Sequence, residues 1–364
     1  MQNEWLTMRT VRFLLACLCG VLGALPATAQ TNQPIKIDDG AIAVPLPPEP
    51  EYSVPLGIGM ETWKYPYPVQ FLPLEIEGQT LRMAYMDVQF QFIQKPPRSG
   101  TVLLLHGKNF YGSYWADTIE ALAAQGYRVV VPDQIGFGKS SKPDIHYSFD
   151  LLARHTAQLL DTLGVDKVAV VGHSMGGMLA VRFARNYPQR VTHLILENPI
   201  GLEDYRFKVP PKTTEELFQN ELANTETGKI RAFLKGYPVQ WKPEVFEPFV
   251  EVRRRVALSG EYPRFAKAAA LTYQMCYRQP VRHEFGLIAA PTLLVIGQED
   301  RTALGRGFVS PEVRATLGLY PQLGRAAARD IPRAKLVELP GVGHIPHLET
   351  PEKWRAALLE FLKE

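Results

Sequence analysis

The chain has 364 residues, 46% of them hydrophobic, which is enough apolar side chain to bury a large core and excludes disorder as the default. Its formal charge of +3 is the difference between 40 basic and 37 acidic residues scattered among one another, so nothing points to nucleic-acid binding. The densest basic cluster, Arg253-Arg254-Arg255, reads as a solvated helix face with Glu251 nearby.

At the N-terminus, Arg9 and Arg12 precede an apolar run over residues 13–25 and then Ala27-Thr28-Ala29. Charged, apolar and small residues in that order predict a secretory signal over residues 1–29, cut before Gln30. The run is too short to span a bilayer comfortably, so no stable membrane insertion is expected after cleavage; an uncleaved anchor is the alternative. The expected location is secreted or periplasmic. Cys17 and Cys19 would leave with the signal, and Cys276 alone cannot form an intrachain disulfide.

Residues 30–71 hold Pro45, Pro47, Pro48 and Pro50 with little periodicity, and read as an extended arm. Trp63, Tyr65, Tyr67 and Phe71 are too aromatic for a solvated tail, so the later part of the arm is expected to pack on the domain. Alternating apolar residues over 72–92, with Gly78 at a turn, predict an antiparallel hairpin.

Beyond it, continuous apolar runs alternate with helical stretches. Strands are predicted at 101–105, 128–131, 167–171 and 191–196, and helices at 115–125, 149–163 and 175–187. Strands resume at 292–296 and 335–338, and a last helix runs over 351–362, with Thr350 and Pro351 as N-cap and first helical residue. Apolar strands without polar alternation imply an α/β fold with a mostly parallel sheet covered on both faces. Such sheets bind ligands at the carboxyl ends of their strands. Residues 199–290 break the alternation, are helical and aromatic throughout, and read as a cap inserted between core segments 72–198 and 291–364.

Gly172-His173-Ser174-Met175-Gly176 joins the strand at 167–171 to the helix at 175–187. Glycines on either side of the serine permit a sharp turn that lifts its hydroxyl above the sheet. A serine hydroxyl at neutral pH needs a neutral histidine to take its proton. His344, in Gly341-Val342-Gly343-His344 just past the strand at 335–338, is the candidate base, with His347 as its competitor. His173 and His106 read as supporting residues beneath the pocket. The acid that orients the base is read as Asp300, in Gly297-Gln298-Glu299-Asp300 after the strand at 292–296, with Glu197 and Glu299 as alternatives. No zinc-ligand spacing, phosphate-cradling loop or dinucleotide fingerprint is present, so no cofactor or metal is expected.

Together, Leu104-Leu105-His106-Gly107, the Asp133 to Ser140 segment with Gly136 and Gly138, the Ser174 elbow, Gly297 to Asp300 and Gly343-His344 resemble the α/β-hydrolase superfamily. The order serine, acid, histidine is also that of the family. The resemblance covers residue 72 to the C-terminus and implies the α/β-hydrolase fold with a helical cap. It further implies an oxyanion hole made by the backbone N–H groups of Lys108 and Met175, with Asn109 as an alternative donor. Ser174 stands where haloalkane dehalogenases and epoxide hydrolases of the family carry aspartate.

The expected activity is a small-molecule carboxylic ester hydrolase working through an acyl-enzyme. A C–C hydrolase or cofactor-free perhydrolase with the same triad, and a non-catalytic small-molecule binding protein, are the alternatives. Lys108-Asn109-Phe110 departs from the small residues common after His-Gly in the family; the ordinary reading of the lysine is that it points to solvent or pairs with an acid, and the alternative is a bias toward anionic substrates. Trp241, Tyr273 and Tyr277 are candidate pocket residues of the cap.

Overall fold

Four consecutive residues of the strand Thr101–Leu105, Val102 to Leu105, have no solvent exposure, as expected of a strand covered on both faces. In the computed structural model, which describes residues 49–89 and 100–364, this strand is β3 of an eight-stranded sheet ordered β1-β2-β4-β3-β5-β6-β7-β8. β1 (Val69–Ile76) and β2 (Gln79–Val88) form an antiparallel hairpin whose turn holds Glu77 and Gly78 at positive φ. β2 runs antiparallel to β4 (Arg128–Pro132), and every later pairing is parallel. These are β5 (Val168–His173), β6 (Val191–Glu197), β7 (Thr292–Gly297) and the half-exposed edge strand β8 (Ala334–Leu339). The signal segment, Cys17, Cys19, the arm to residue 48 and residues 90–92 of the expected hairpin lie outside the described residues.

Helices α1 (Ala116–Ala124), α2 (Phe149–Thr162) and α3 (Met175–Asn186) connect the first parallel strands. Ser148 starts α2 as a side-chain N-cap, accepting from the Leu151 N–H. Between β6 and β7 lie α4 (Thr214–Ala223), α5 (Thr227–Leu234), α6 (Pro243–Ala257) and α7 (Tyr262–Arg278), the helices that cover the carboxyl end of the sheet. Thr213 and Glu216 close a capping box at the start of α4.

Three helices lie where none was expected: α8 (Pro311–Arg314), α9 (Tyr320–Asp330) and α10 (Pro346–Glu349). α9 buries Tyr320, Gly324 and Ala327, a helical i, i+4, i+7 stripe that the short apolar side chains make easy to overlook. The chain closes with α11 (Pro351–Phe361); Thr350 occupies its N-cap position but makes no side-chain cap bond.

The arm from Pro50 onward is no free linker. Leu56, Ile58 and Met60 bury against Val252, Val256, Tyr262 and Ala266 of α6 and α7. The Leu56 N–H donates to the Arg255 carbonyl at 2.9 Å, and the Tyr65 hydroxyl donates to Asp133 of the core at 2.7 Å. The same packing corrects the reading of the arginine cluster. Arg253 pairs with Glu221, Arg254 donates to the Thr225 carbonyl, and Arg255 binds Glu251 and the Val54 carbonyl, so this face is bonded within the protein rather than solvated.

Candidate active site

Ser174 follows the last residue of β5 and precedes the first of α3, with φ 56° and ψ −119°, a conformation that costs an L-residue about 1–3 kcal/mol. The flanking glycines are required by close approach. A Cβ on Gly172 would sit 2.3 Å from the Gly176 carbonyl oxygen, and one on Gly176 would sit 2.2 Å from that of Leu105. The elbow therefore packs directly on the end of β3, which brings the Gly107-Lys108 loop beside the serine.

Ser174, His344 and Asp300 lie in one hydrogen-bonded line. Ser174 Oγ is 2.9 Å from His344 Nε2, and His344 Nδ1 is 2.6 Å from Asp300 Oδ2. Both His344 and Asp300 are 1% exposed. Since a carboxylate only accepts, Nδ1 carries the proton and Nε2 is free to receive one from the serine. The competitors are elsewhere: Glu299 is exposed, while Glu197 and His347 pair with each other, Nδ1 lying 3.0 Å from both carboxylate oxygens.

Several supporting residues were not singled out from sequence. Asn198, at φ 34° just past β6, donates to Asp300 Oδ2 at 2.8 Å and accepts from the Gly297 N–H at 2.9 Å. An amide side chain can do both at once, and asparagine tolerates positive φ better than most residues. The Thr302 N–H donates to the other Asp300 oxygen at 2.7 Å. Glu349 of α10 holds the base loop from below, accepting from the Gly343 and Ile345 N–H groups, each at 3.0 Å, and from Val239 of the cap at 2.9 Å. Tyr237, also in the cap segment, stacks on the His344 ring with centroids 5.2 Å apart and accepts the His344 N–H at its carbonyl.

His173 joins the serine side of the site to the histidine side. The Gly107 N–H donates to the Tyr114 hydroxyl at 2.9 Å, so the hydroxyl proton goes to His173 Nδ1, also at 2.9 Å. That leaves His173 Nε2–H to donate to the His344 carbonyl at 2.8 Å. Burial, reinforced by His344 and His347, pushes the His173 pKa well below the usual histidine range, which keeps the imidazole in the neutral form this chain requires. His106 supports the next layer, accepting the Gln134 N–H at its Nε2.

Above the serine is a cavity of about 540 Å³ lined by core and cap residues, Ser174 and His344 among them. The N–H of Met175, first residue of α3, has no intrahelical acceptor. The Lys108 N–H donates to no acceptor among the described residues. Asn109 uses its side-chain amide on the Tyr237 hydroxyl at 2.7 Å. Of the expected pocket aromatics, Tyr273 lines the cavity; Trp241 instead stacks on Phe246, and Tyr277 donates to the Val209 carbonyl.

Known proteins place this architecture. A 2-hydroxy-6-oxononadienedioate/2-hydroxy-6-oxononatrienedioate hydrolase of Paraburkholderia phymatum is 30% identical over 268 residues, covering 72% of this chain and 86% of that one. A structure titled "probable hydrolytic enzyme" from Pseudomonas aeruginosa superposes with a TM-score of 0.82 at 43% identity, covering 85% of this chain and 99% of that one. A thermophilic esterase of Thermogutta terrifontis gives a TM-score of 0.58 at 26% identity over 81% and 98% of the two chains. Residues 100–351 match the model of the α/β-hydrolase fold, and the chain belongs to that family.

Proposed function

We propose that the protein is a serine hydrolase that cleaves carboxylic esters through an acyl-enzyme. The observation that carries this reading is the unbroken line Ser174 Oγ, His344 Nε2, His344 Nδ1, Asp300 Oδ2 at the floor of the cavity. Ser174 attacks the carbonyl while His344 takes its proton, and the charge that develops on the imidazole is held by Asp300. The oxyanion faces the Met175 and Lys108 N–H groups, donors worth roughly 3 kcal/mol each in sites of this kind. His344 then returns the proton to the leaving alcohol, and water, activated by the same histidine, releases the acid.

A second reading, hydrolysis of a C–C bond next to a carbonyl, is favoured by the named activity of the relative that is 30% identical. It uses the same nucleophile and differs in the leaving group, a carbanion in place of an alkoxide. A fluorophosphonate probe tests what the two readings share. Wild type is expected to label at Ser174, identified by peptide mass spectrometry, while Ser174→Ala neither labels nor turns over 4-nitrophenyl esters. Label-free wild type, or an alanine variant with wild-type esterase rate, would overturn the proposal. A panel of 4-nitrophenyl esters and vinylogous 1,5-diketones then separates ester from C–C cleavage.

We further propose that residues 1–29 direct the chain to a secreted or periplasmic location. The order of basic, apolar and small residues supports this.

A further inference from the structure

Formal charge around the cavity is unbalanced. Its ionisable lining outside the triad is Lys108, Lys229, Arg253, Arg301 and Arg306 against the single carboxylate of Glu221. That carboxylate is already bound by Arg253 and by the Tyr262 hydroxyl, and Lys229 turns to Glu226. Arg301 and Arg306 donate to main-chain carbonyls, which satisfy geometry without cancelling charge. Among the described residues Lys108 has no acceptor for its ammonium, and the buried Arg306 Nε and Tyr273 hydroxyl have none for theirs.

Unmade bonds of this kind are costly in a protein interior. The Arg306 Nε and the Tyr273 hydroxyl are closed off from the cavity, which leaves Lys108 as the donor a ligand can reach. Its N–H belongs to the loop beside Ser174, so its side chain starts at the reacting centre. It extends toward the cap, where Glu221 of α4 and Arg253 of α6 are the charged groups that act on it. Burial lowers its pKa, and an anion placed beside it would restore the charged form. The uncharged lining combines apolar side chains, Ile200, Leu217, Ile230, Phe233 and Phe308 among them, with the amides of Asn109, Asn220 and Asn224.

We propose that the cavity is a subsite for a carboxylate, so that the substrate is an ester whose acyl chain ends in an anionic carboxyl group held by Lys108. The proposal rests on the serine-hydrolase reading of Ser174 and names the substrate class of that site.

The test compares the mono-4-nitrophenyl ester of adipic acid, an anion, with its methyl-capped diester, which has nearly the same shape and no charge. The readout is the ratio of kcat/KM for the anion to kcat/KM for the diester, so that effects on the chemical step common to both cancel. Wild type is expected to favour the anion at least tenfold. Lys108→Met is expected to lower that ratio tenfold or more, with a thermal melt checking that the variant is folded. A wild-type ratio near one that Lys108→Met leaves unchanged overturns the proposal.

If neither ester turns over, adipate is offered as a competitor of fluorophosphonate labelling. Protection of Ser174 in wild type that is lost in Lys108→Met supports the subsite, and absence of protection overturns it. If Ser174 itself does not label, the serine-hydrolase reading has failed separately. Calorimetric titration of wild type and Lys108→Met with adipate then decides the subsite alone: binding that requires Lys108 supports it, and no binding overturns it.

Discussion

Asn198, just past β6, holds the acid of the candidate triad without a hydrogen bond to Ser174 or His344. Its amide group fixes the Asp300 carboxylate while its carbonyl oxygen holds the backbone of Gly297, where β7 ends. Asn198→Ala removes both bonds and leaves a buried carboxylate short of one donor. Loss of a bond to such a group is worth about 1–3 kcal/mol, so kcat is expected to fall about 10- to 100-fold while KM changes less than threefold. Steady-state kinetics with a thermal melt checks this; an unchanged kcat in a folded variant would show that Thr302 alone orients Asp300. The glycines of the elbow could be identified in sequence because a sharp turn needs particular residue types. Asn198 could not, because an asparagine after a strand resembles any turn residue until its two partners, 99 and 102 positions away, are in place.

Among the elements, the arm and α6 show how a segment without regular structure acquires a fixed place. Leu56 is 3% exposed between α6 and α7, and the surrounding backbone bonds use Arg255 of α6 as both donor and acceptor. Leu56→Ala is expected to lower stability by about 2–4 kcal/mol, measured by urea unfolding, since neighbours anchored at both ends cannot collapse into the space. A loss below 1 kcal/mol would mean that the arm is not part of the cooperative unit. The cap helices were identifiable as helical, yet the arginine cluster was misplaced. Three consecutive arginines on a helix carry the signal of a solvated face, and only the tertiary partners, Glu221 for Arg253, the Thr225 carbonyl for Arg254 and the Val54 carbonyl for Arg255, make this face half-buried. α9 escaped because alanine, glycine and one tyrosine make a weak stripe, although Ile296 of β7 packs against its glycine.

At the scale of the whole molecule, buried ionisable groups make stability depend on pH. Lys142 is 3% exposed and donates to the Gly138 and Ser140 carbonyls; burial, opposed by Asp133 and Glu61, brings its pKa down to about 7. In the unfolded chain it returns to 10.5. Between those values the unfolded state holds a proton that the native state lacks, so stability rises with pH across that window, by at most about 1.4 kcal/mol per unit. Below pH 7 both states are protonated and this group adds no slope. Denaturant unfolding from pH 6.5 to 9.5 is expected to show the rise in wild type and a flatter profile in Lys142→Met; equal profiles would mean that the ammonium stays charged in the fold.

Apolar runs were sufficient for the parallel sheet and the inserted helices, and glycine spacing with the order serine, acid, histidine pointed to three residues that the structure brings into one hydrogen-bonded line. Each of these is encoded locally, by side-chain period or by what a tight turn can accept. The sequence left Glu197, Glu299 and His347 as competitors, and tertiary structure decided among them: Glu197 ends β6, Asp300 lies just past β7, and each binds a different ring. It also decided that Lys108 lines the cavity above Ser174. The physical reason is the same in both cases: partner choice and burial depend on groups far apart in the chain, and no local pattern carries them.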